Sequence, residues 1–227
     1  ISRLTHKNGS LLFSDTTQAL GKVDLSKVFQ LVDFACFSAH KVYGPKGIGL
    51  VFIKDNEDGN GLPSFIQGGG QQKKQRGGTI NTPLIVGFSK AIALAIENIK
   101  IETQRLKTLR NKLETGLLQI ELAISNSTTP QRLPNTVHIS FPYVDGANLL
   151  TALSRQIAVS NGSACNSASV EPSHVLTAMG IERSLAYASL RLSLGKYSTE
   201  NDIKKAIAII TNEVAKQRDN NILWDRR

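Results

Sequence analysis

Short apolar segments bounded by Gly, Pro and Asp dominate the first third of the chain. Residues 9–15, 32–38 and 47–53 predict three strands of a buried sheet, because a strand covered on both faces shows no polar alternation. The first of these segments ends in an acid, Asp15. Residues 59–81 are rich in Gly and Gln and predict a long loop, and such loops in compact proteins are usually functional or disordered.

The hydrophobic period changes at Pro83, where apolar positions begin to recur at helical spacing. This pattern predicts a long connecting helix to about residue 124, with Gly116 as a candidate break. Thr199 and Asp202 have the spacing of a helical capping box. The remaining periodicity predicts strands at 136–141, 158–163 and 189–194 and helices at 145–153, 172–179 and 199–217. This order of elements predicts two domains, of α/β and α+β type, with a boundary near residue 100.

The composition is that of an ordinary globular protein, with 41% hydrophobic and 20% charged residues in a chain of 227. The two cysteines, Cys36 and Cys165, lie far apart and outside any CxxC pattern. This spacing argues against a disulfide framework and against a structural zinc finger. No apolar stretch approaches the roughly 20 residues that a membrane-spanning helix needs.

The formal net charge of +9, taken alone, favours an anionic partner such as a nucleic acid. The chain begins with Ile1, however, and its single methionine is Met179. Removal of an initiator methionine normally exposes a small residue, and isoleucine is not small. We therefore expect the chain to start within a longer translated sequence, so that the net charge belongs to a piece.

A lysine follows the second predicted strand directly, in the segment SAHKVYGPKGIG at residues 38–49. Ser38 and His40 could hydrogen-bond a phosphate while Lys41 reaches a carbonyl. A lysine that forms a Schiff base must be partly neutral, which desolvation beside other cations favours. The alternative for Lys41 is an ordinary exposed lysine in a turn, the description that fits Lys46 better. Asp15 is either the partner of a protonated pyridine nitrogen or an ordinary cap or loop acid.

Cys165 lies in a run of small polar residues, 161–169, that offers almost nothing for a structural cysteine to pack against. The run leads into a predicted helix start at Ser169 and Pro172, where the helix dipole favours a thiolate. The alternative is an idle exposed thiol. Cys36, between apolar neighbours, is expected to be an inert core residue.

The basic residues of the predicted loop, Lys73, Lys74 and Arg76, have no aromatic neighbours for stacking bases, which favours a loop beside a phosphate over a nucleic-acid patch. Residues 218–227 are expected to form a solvated tail. His138 lies inside a predicted strand and is expected to be structural. No group of His, Cys and carboxylates has metal-ligand spacing.

The order of the motifs is specific. Asp15-x-x-Gln18 precedes residues 38–47 (SAHKVYGPKG) and residues 76–79 (RGGT), and residues 160–173 (SNGSACNSASVEPS) and 189–195 (SLRLSLG) follow. This combination resembles the NifS/IscS-type cysteine desulfurases, which are class V aminotransferase-like, fold-type I enzymes dependent on pyridoxal 5'-phosphate (PLP). The match runs from about residue 10 to the end of the chain.

The resemblance implies a set of cofactor-binding residues. Lys41 would be the Schiff-base lysine, and Asp15 would pair with the pyridine nitrogen. Gln18 would hydrogen-bond the phenolic oxygen of the cofactor. Ser38 and His40 would hold its phosphate.

Three further roles follow from the same resemblance. Thr79 would reach the phosphate of the partner subunit's cofactor, which implies a homodimer. Arg191 would grip the substrate carboxylate, a task suited to a bidentate guanidinium. Cys165 would be the nucleophile, and no residue would bind a metal.

The implied reaction converts L-cysteine to L-alanine and transfers the sulfur to Cys165 as a persulfide. A sulfur-acceptor protein would then receive it for iron–sulfur cluster assembly, tRNA thiolation or DNA sulfur modification. A selenocysteine lyase or another class V PLP enzyme is an open alternative. A nucleic-acid-binding or scaffold module is the alternative from a different class.

The implied fold class is α/β. Residues 1–100 would be the rear part of a PLP-dependent transferase large domain, with a mostly parallel sheet, and residues 101–227 a smaller α+β domain carrying the nucleophile loop. The front of the large domain has no counterpart here. We therefore expect the missing N-terminal portion of the same protein as a partner and an incomplete catalyst without it. We expect a cytoplasmic location, no membrane partner and no direct nucleic-acid binding.

Overall fold

The computed structural model describes residues 1–54, 63–127, 129–160 and 172–225, which divide into two compact units. The first unit is Ile1–Ile101 and the second is Glu102–Arg227. Each contains a three-stranded sheet together with helices, so the predicted α/β fold class is confirmed. No helix in the described ranges is long and apolar enough to cross a membrane.

The sheet of the first unit has the strand order β1-β2-β3. β1 (Phe13–Asp15) runs parallel to β2 (Phe34–Ser38), and β2 pairs antiparallel with β3 (Gly49–Ile53). A 3-10 turn, Ala39–Val42, follows β2 directly. The helices of this unit are α1 (Ser2–Lys7), α2 (Ser26–Leu31), the short turn α3 (Gln71–Lys74) and α4 (Thr82–Glu97).

The prediction of a buried sheet is wrong for the two outer strands of this unit. Phe13 in β1 is 53% exposed, and Leu50 and Val51 in β3 are 43% and 50% exposed. Among the strands that the structure describes, both lie at an edge of the sheet, and β2 lies between them. The core packs instead around β2 and the turn after it, and it consists of Leu20, Leu25, Val32, Ala35, Phe37, Ala39, Val42 and Phe88.

The predicted connecting helix is two helices, α4 and α5 (Ile99–Leu117), which are separated at Asn98. The break expected at Gly116 is wrong, because this residue lies inside α5. A Cβ on Gly116 would come within 2.4 Å of Ile207 Cδ1 in α9 (Glu200–Asp219), so the glycine permits the close approach of these two helices.

The second unit has the strand order β4-β5-β6, with both pairs antiparallel. The capping box predicted at Thr199 and Asp202 is confirmed at the start of α9. The other elements of this unit are β4 (Ile124–Ser125), β5 (Thr136–Ser140), α6 (Gly146–Ser154), α7 (His174–Ala178), α8 (Arg183–Tyr187), β6 (Ser189–Ser193) and α10 (Ile222–Asp225).

The sheet of the second unit has one apolar and one polar face. Val137 and Ile139 in β5 are fully buried in the core, and their partners Leu192 and Leu190 in β6 belong to the same cluster. Since side chains alternate along a strand, His138 lies on the opposite, polar face.

The expected solvated tail at residues 218–227 is wrong for Arg218, although Ile222 and Leu223 are exposed. Arg218 is only 3% exposed. Its Nη1 donates to the carbonyl oxygen of Glu121 at 2.7 Å, and its Nε and Nη2 each donate to that of Pro142 at 3.1 Å. The guanidinium carbon also lies 4.3 Å from the ring centroid of Trp224 in α10. The end of the chain therefore belongs to the folded second unit.

Candidate active site

Two neighbouring strands of the first unit end at the same edge of its sheet. β1 ends at Asp15 and β2 ends at Ser38, and the parallel register places Asp15 level with Cys36. In open α/β sheets, ligands bind at the carboxyl ends of the strands. Asp15 and the turn that carries Lys41 therefore lie at the edge where such a site forms.

The turn that carries Lys41 is held by its apolar residues and presents its polar ones. Ala39 and Val42 are 0% and 5% exposed, whereas His40 and Lys41 are exposed. Ser38 Oγ lies 2.9 Å from His40 Nδ1. A hydroxyl, an imidazole and an amine thus emerge from four consecutive residues, on a backbone fixed by the core beneath them.

Asp15 is exposed, contrary to the expectation of an acid at the end of a buried strand. Its Oδ1 accepts a hydrogen bond from the backbone N–H of Thr17 at 2.9 Å, and this bonding lowers the pKa of Asp15. Cys36 is half-buried rather than a core residue. Burial, followed by the charge of Asp15, raises the pKa of the Cys36 thiol. Asp15 is therefore held as a carboxylate and Cys36 as a protonated, unreactive thiol.

Lys22 is a residue of this site that no motif singles out. Its Nζ donates to the carbonyl oxygen of Gln18 at 3.1 Å and, at a longer 3.5 Å, to that of Lys41. Desolvation, followed by the charge of Lys41, lowers the pKa of Lys22. The sequence signal for it is weak, a lysine four residues after Gln18 in the same turn. Lys22 links the turn after β1 to the turn after β2.

Thr79 lies at the end of the loop segment 63–81 and is exposed. Before it, Gly77 N–H donates to the carbonyl oxygen of Ile66 at 2.7 Å. A Cβ on Gly77 would lie 2.6 Å from the carbonyl oxygen of Gln67, so only glycine allows the two stretches of this loop to approach so closely. The basic residues Lys73 and Lys74 are exposed in α3.

Arg191 lies at the centre of β6 in the second unit. It pairs with His138 of β5 on one side. On the other side its N–H donates to the carbonyl oxygen of Ser160 at 2.6 Å, and Ser160 N–H donates back at 3.3 Å. The strand predicted at residues 158–163 is described only as far as Ser160, and this bridge is the strand pairing seen there. Cys165 lies outside them, in the segment 161–171 that begins directly after Ser160.

One edge of the first sheet therefore gathers most of the predicted cofactor-binding residues. They are Asp15, Gln18, Ser38, His40 and Lys41. The chemistry of this set fits PLP, because it offers a hydroxyl and an imidazole for a phosphate, an amine for an aldehyde and an ionised carboxylate for a protonated pyridine.

A known structure shares this fold, and a protein family matches the sequence. The NifS-like protein from Rickettsia africae ESF-5 superposes with a TM-score of 0.82 at 31% identity, over 94% of this chain and 56% of that one. The sequence matches the aminotransferase class-V family over residues 1–206, and the chain belongs to that family.

Two curated relatives share about two-fifths of the sequence. They are the cysteine desulfurases IscS of Acinetobacter baumannii (strain AYE), at 41% identity, and of Pasteurella multocida (strain Pm70), at 42%. Each alignment covers 225 residues, 99% of this chain and 55% of the relative. The resemblance predicted from the motifs is confirmed, and the chain spans about half the length of the curated relatives it matches.

Proposed function

We propose that the protein containing this chain is a PLP-dependent cysteine desulfurase. The proposal is carried by one observation: Asp15 and the turn that carries Lys41 both lie at the carboxyl ends of two adjacent parallel strands. The relatives named cysteine desulfurase IscS support it. The substrate is L-cysteine and the products are L-alanine and a persulfide on Cys165.

Five residues of the first unit would hold the cofactor. Lys41 would bind its aldehyde as a Schiff base, and Ser38 and His40 would bind its phosphate. The carboxylate of Asp15 would pair with the pyridine nitrogen, and Gln18 would donate to the phenolic oxygen. When bound, PLP supplies an electron sink for the α-carbon of the substrate.

The protein's own side chains carry the remaining steps. Arg191 binds the substrate carboxylate, and the amine of Lys41 accepts the α-proton at Nζ. The thiolate of Cys165 attacks the substrate sulfur. An S–S bond forms as the substrate C–S bond breaks, its electron pair stays with carbon, and that carbon takes up a proton. The step needs no external oxidant or reductant, since the cysteine becomes alanine and Cys165 becomes a persulfide.

Several partners belong to the proposal. The exposed Thr79 suits a role toward a second subunit, which supports a homodimer. The exposed outer strands, with Phe13 at 53% and Val51 at 50%, suit coverage by a further portion of the same protein. A sulfur-acceptor protein receives the outer sulfur of the persulfide in the cytoplasm, where thiols stay reduced.

The proposal also assigns the two domains. Residues 1–100 would be the rear of the PLP domain, and residues 101–227 would be the small domain.

The test is desulfuration of L-cysteine by the full-length holoprotein, with alanine measured by chromatography and the persulfide located by mass spectrometry. Cys165→Ser should keep the visible absorbance of bound PLP and lose both products. Cys36→Ser is the matched control and should keep activity within about twofold, because its thiol is protonated and outside the proposed steps. Alanine formation by Cys165→Ser at the parent rate would contradict the proposal.

A further inference from the structure

The polar face of the second sheet places a histidine directly opposite Arg191. His138 in β5 and Arg191 in β6 are register partners in an antiparallel pair. Side chains of directly opposed residues project to the same face, with Cβ atoms about 4.5–5.5 Å apart. Because Val137 and Ile139 point into the core, His138 and Arg191 share the other face.

Hydrogen bonds of Asn126 determine the tautomer of this histidine. The hydroxyl of Ser140 donates to the carbonyl oxygen of Leu185 at 2.8 Å, so it can only accept from Asn126. Asn126 therefore presents its amino group, which lies 2.8 Å from Ser140 Oγ and 2.9 Å from His138 Nδ1. Since Nδ1 must accept this bond, the neutral imidazole carries its proton on Nε2.

The electrostatics of the pair leave Arg191 as the charged member. Burial, followed by the charge of Arg191, lowers the pKa of His138 to about 4. Arg191 is the charged group that acts on this imidazole among the described residues, and the uncharged Asn126 is its hydrogen-bond partner. The ion pairs of the described ranges include none between Arg191 and a carboxylate.

We propose that the neutral side chain of His138 leaves the charge of Arg191 available to its ligand, an inference that rests on the proposed function. Asn126 holds His138 as a neutral Nε2–H imidazole beside the guanidinium, where it neither neutralises Arg191 nor adds a competing cation. The full charge of Arg191 thereby stays available for the carboxylate of an amino-acid substrate. Position 138 controls substrate affinity through its charge.

The kinetic test places a carboxylate at this position in the full-length holoprotein. His138→Asp creates an ion pair that competes with the substrate, so KM for L-cysteine should rise about tenfold or more while kcat stays within about twofold. His138→Gln is neutral and should keep KM within about threefold. Thr136→Asp is the matched control on the same strand and face, opposite Ser193, and its KM should stay within about twofold. A parent KM in His138→Asp, or an equal rise in Thr136→Asp, would overturn the inference.

A second measurement needs neither turnover nor cofactor. The imidazole of His138 is titrated by NMR in this chain and in its Arg191→Gln variant. Removal of the neighbouring charge should raise the titration midpoint by about one pH unit. An unchanged midpoint overturns the inference. If the parent holoprotein forms no alanine, the proposed function fails while this titration still decides whether His138 and Arg191 act on each other.

Discussion

The two units of this chain bury their apolar residues to different extents. Among the described residues, the core of the second unit has fifteen buried apolar residues and that of the first has eight. Arg191 therefore lies on a sheet supported by a closed core. Asp15 and the turn that carries Lys41 lie at the edge of a sheet whose outer strands are exposed. The comparison teaches that, among the described residues, the proposed substrate-carboxylate side has the larger buried core, whereas the proposed cofactor side lies on a sheet whose outer strands are exposed.

The largest expected effect contrasts one leucine in each unit. Leu113 is 1% exposed and Leu50 is 43% exposed. Leu113→Ala should lower the free energy of unfolding by about 3–4 kcal/mol, because a fully buried leucine leaves a cavity. Leu50→Ala should cost less than about 1 kcal/mol, because solvent already reaches its side chain. Urea unfolding of each variant, followed by circular dichroism, provides the measurement.

Equal decreases in the free energy of unfolding in Leu113→Ala and Leu50→Ala would contradict the difference between the two units. Repeating Leu50→Ala in the full-length protein sharpens it. If a further portion of the protein covers β3, as proposed, the cost should rise toward that of a buried leucine, about 2–5 kcal/mol. An unchanged cost would mean that β3 stays exposed in the whole protein.

The second prediction concerns the buried arginine that closes the second unit. Arg218→Ala should lower the free energy of unfolding by about 2–3 kcal/mol, because it removes a buried side chain and three hydrogen bonds to partly buried carbonyl oxygens. Arg155 is exposed, so Arg155→Ala is a matched loss of one positive charge with an expected effect within about 0.5 kcal/mol. Thermal unfolding of both variants tests this, and similar melting temperatures would show that the chain end contributes nothing to the second unit.

Much of the fold could be predicted from local signals. The strand at β5 follows from alternation, and the start of α9 follows from a capping box whose two partners lie three residues apart. The exposure of β1 and β3 could not be predicted. An apolar segment indicates that a strand tends to be buried, but it does not show whether another strand or helix covers it. The burial of Arg218 could not be predicted for a similar reason, since the carbonyl oxygens that accept its hydrogen bonds lie 76 and 97 residues earlier in the chain.

The residues of the candidate site also fall into those that local sequence predicts and those that it does not. Motif order pointed to Lys41, Asp15 and Arg191, because reactive residue types recur in fixed local patterns. Lys22 and His138 carry no such pattern. Their contacts depend on which turn packs against which and on strand register, and neither can be read from spacing along one chain.

The third prediction uses the lowered pKa of His138 in the second unit. Its pKa falls from 6.5 to about 4 on folding, so the folded state favours the neutral imidazole. The stability that depends on this neutral imidazole is fully present above pH 6.5. It is lost as the pH falls toward 4, because the unfolded chain then binds the proton while the folded chain does not. Allowing for solvent screening, the loss is on the order of 1–2 kcal/mol. Denaturation at several pH values measures it, and His138→Gln should show a shallower decline; identical declines would contradict the prediction.

The smallest expected effect tests the link between the two turns of the first unit. Lys22 donates to Gln18 and Lys41, and the longer of these bonds is weak at 3.5 Å. Lys22→Met should therefore speed amide exchange in peptides that cover residues 16–22 and 38–44 by up to about fivefold, the factor that corresponds to about 1 kcal/mol of local opening. Lys27→Met removes the same charge from the exposed surface of α2 and should leave both peptides unchanged. Faster exchange in only one of the two peptides would show that Lys22 stabilises a single turn, and the proposed cofactor side would then consist of two independently opening pieces on an already exposed sheet.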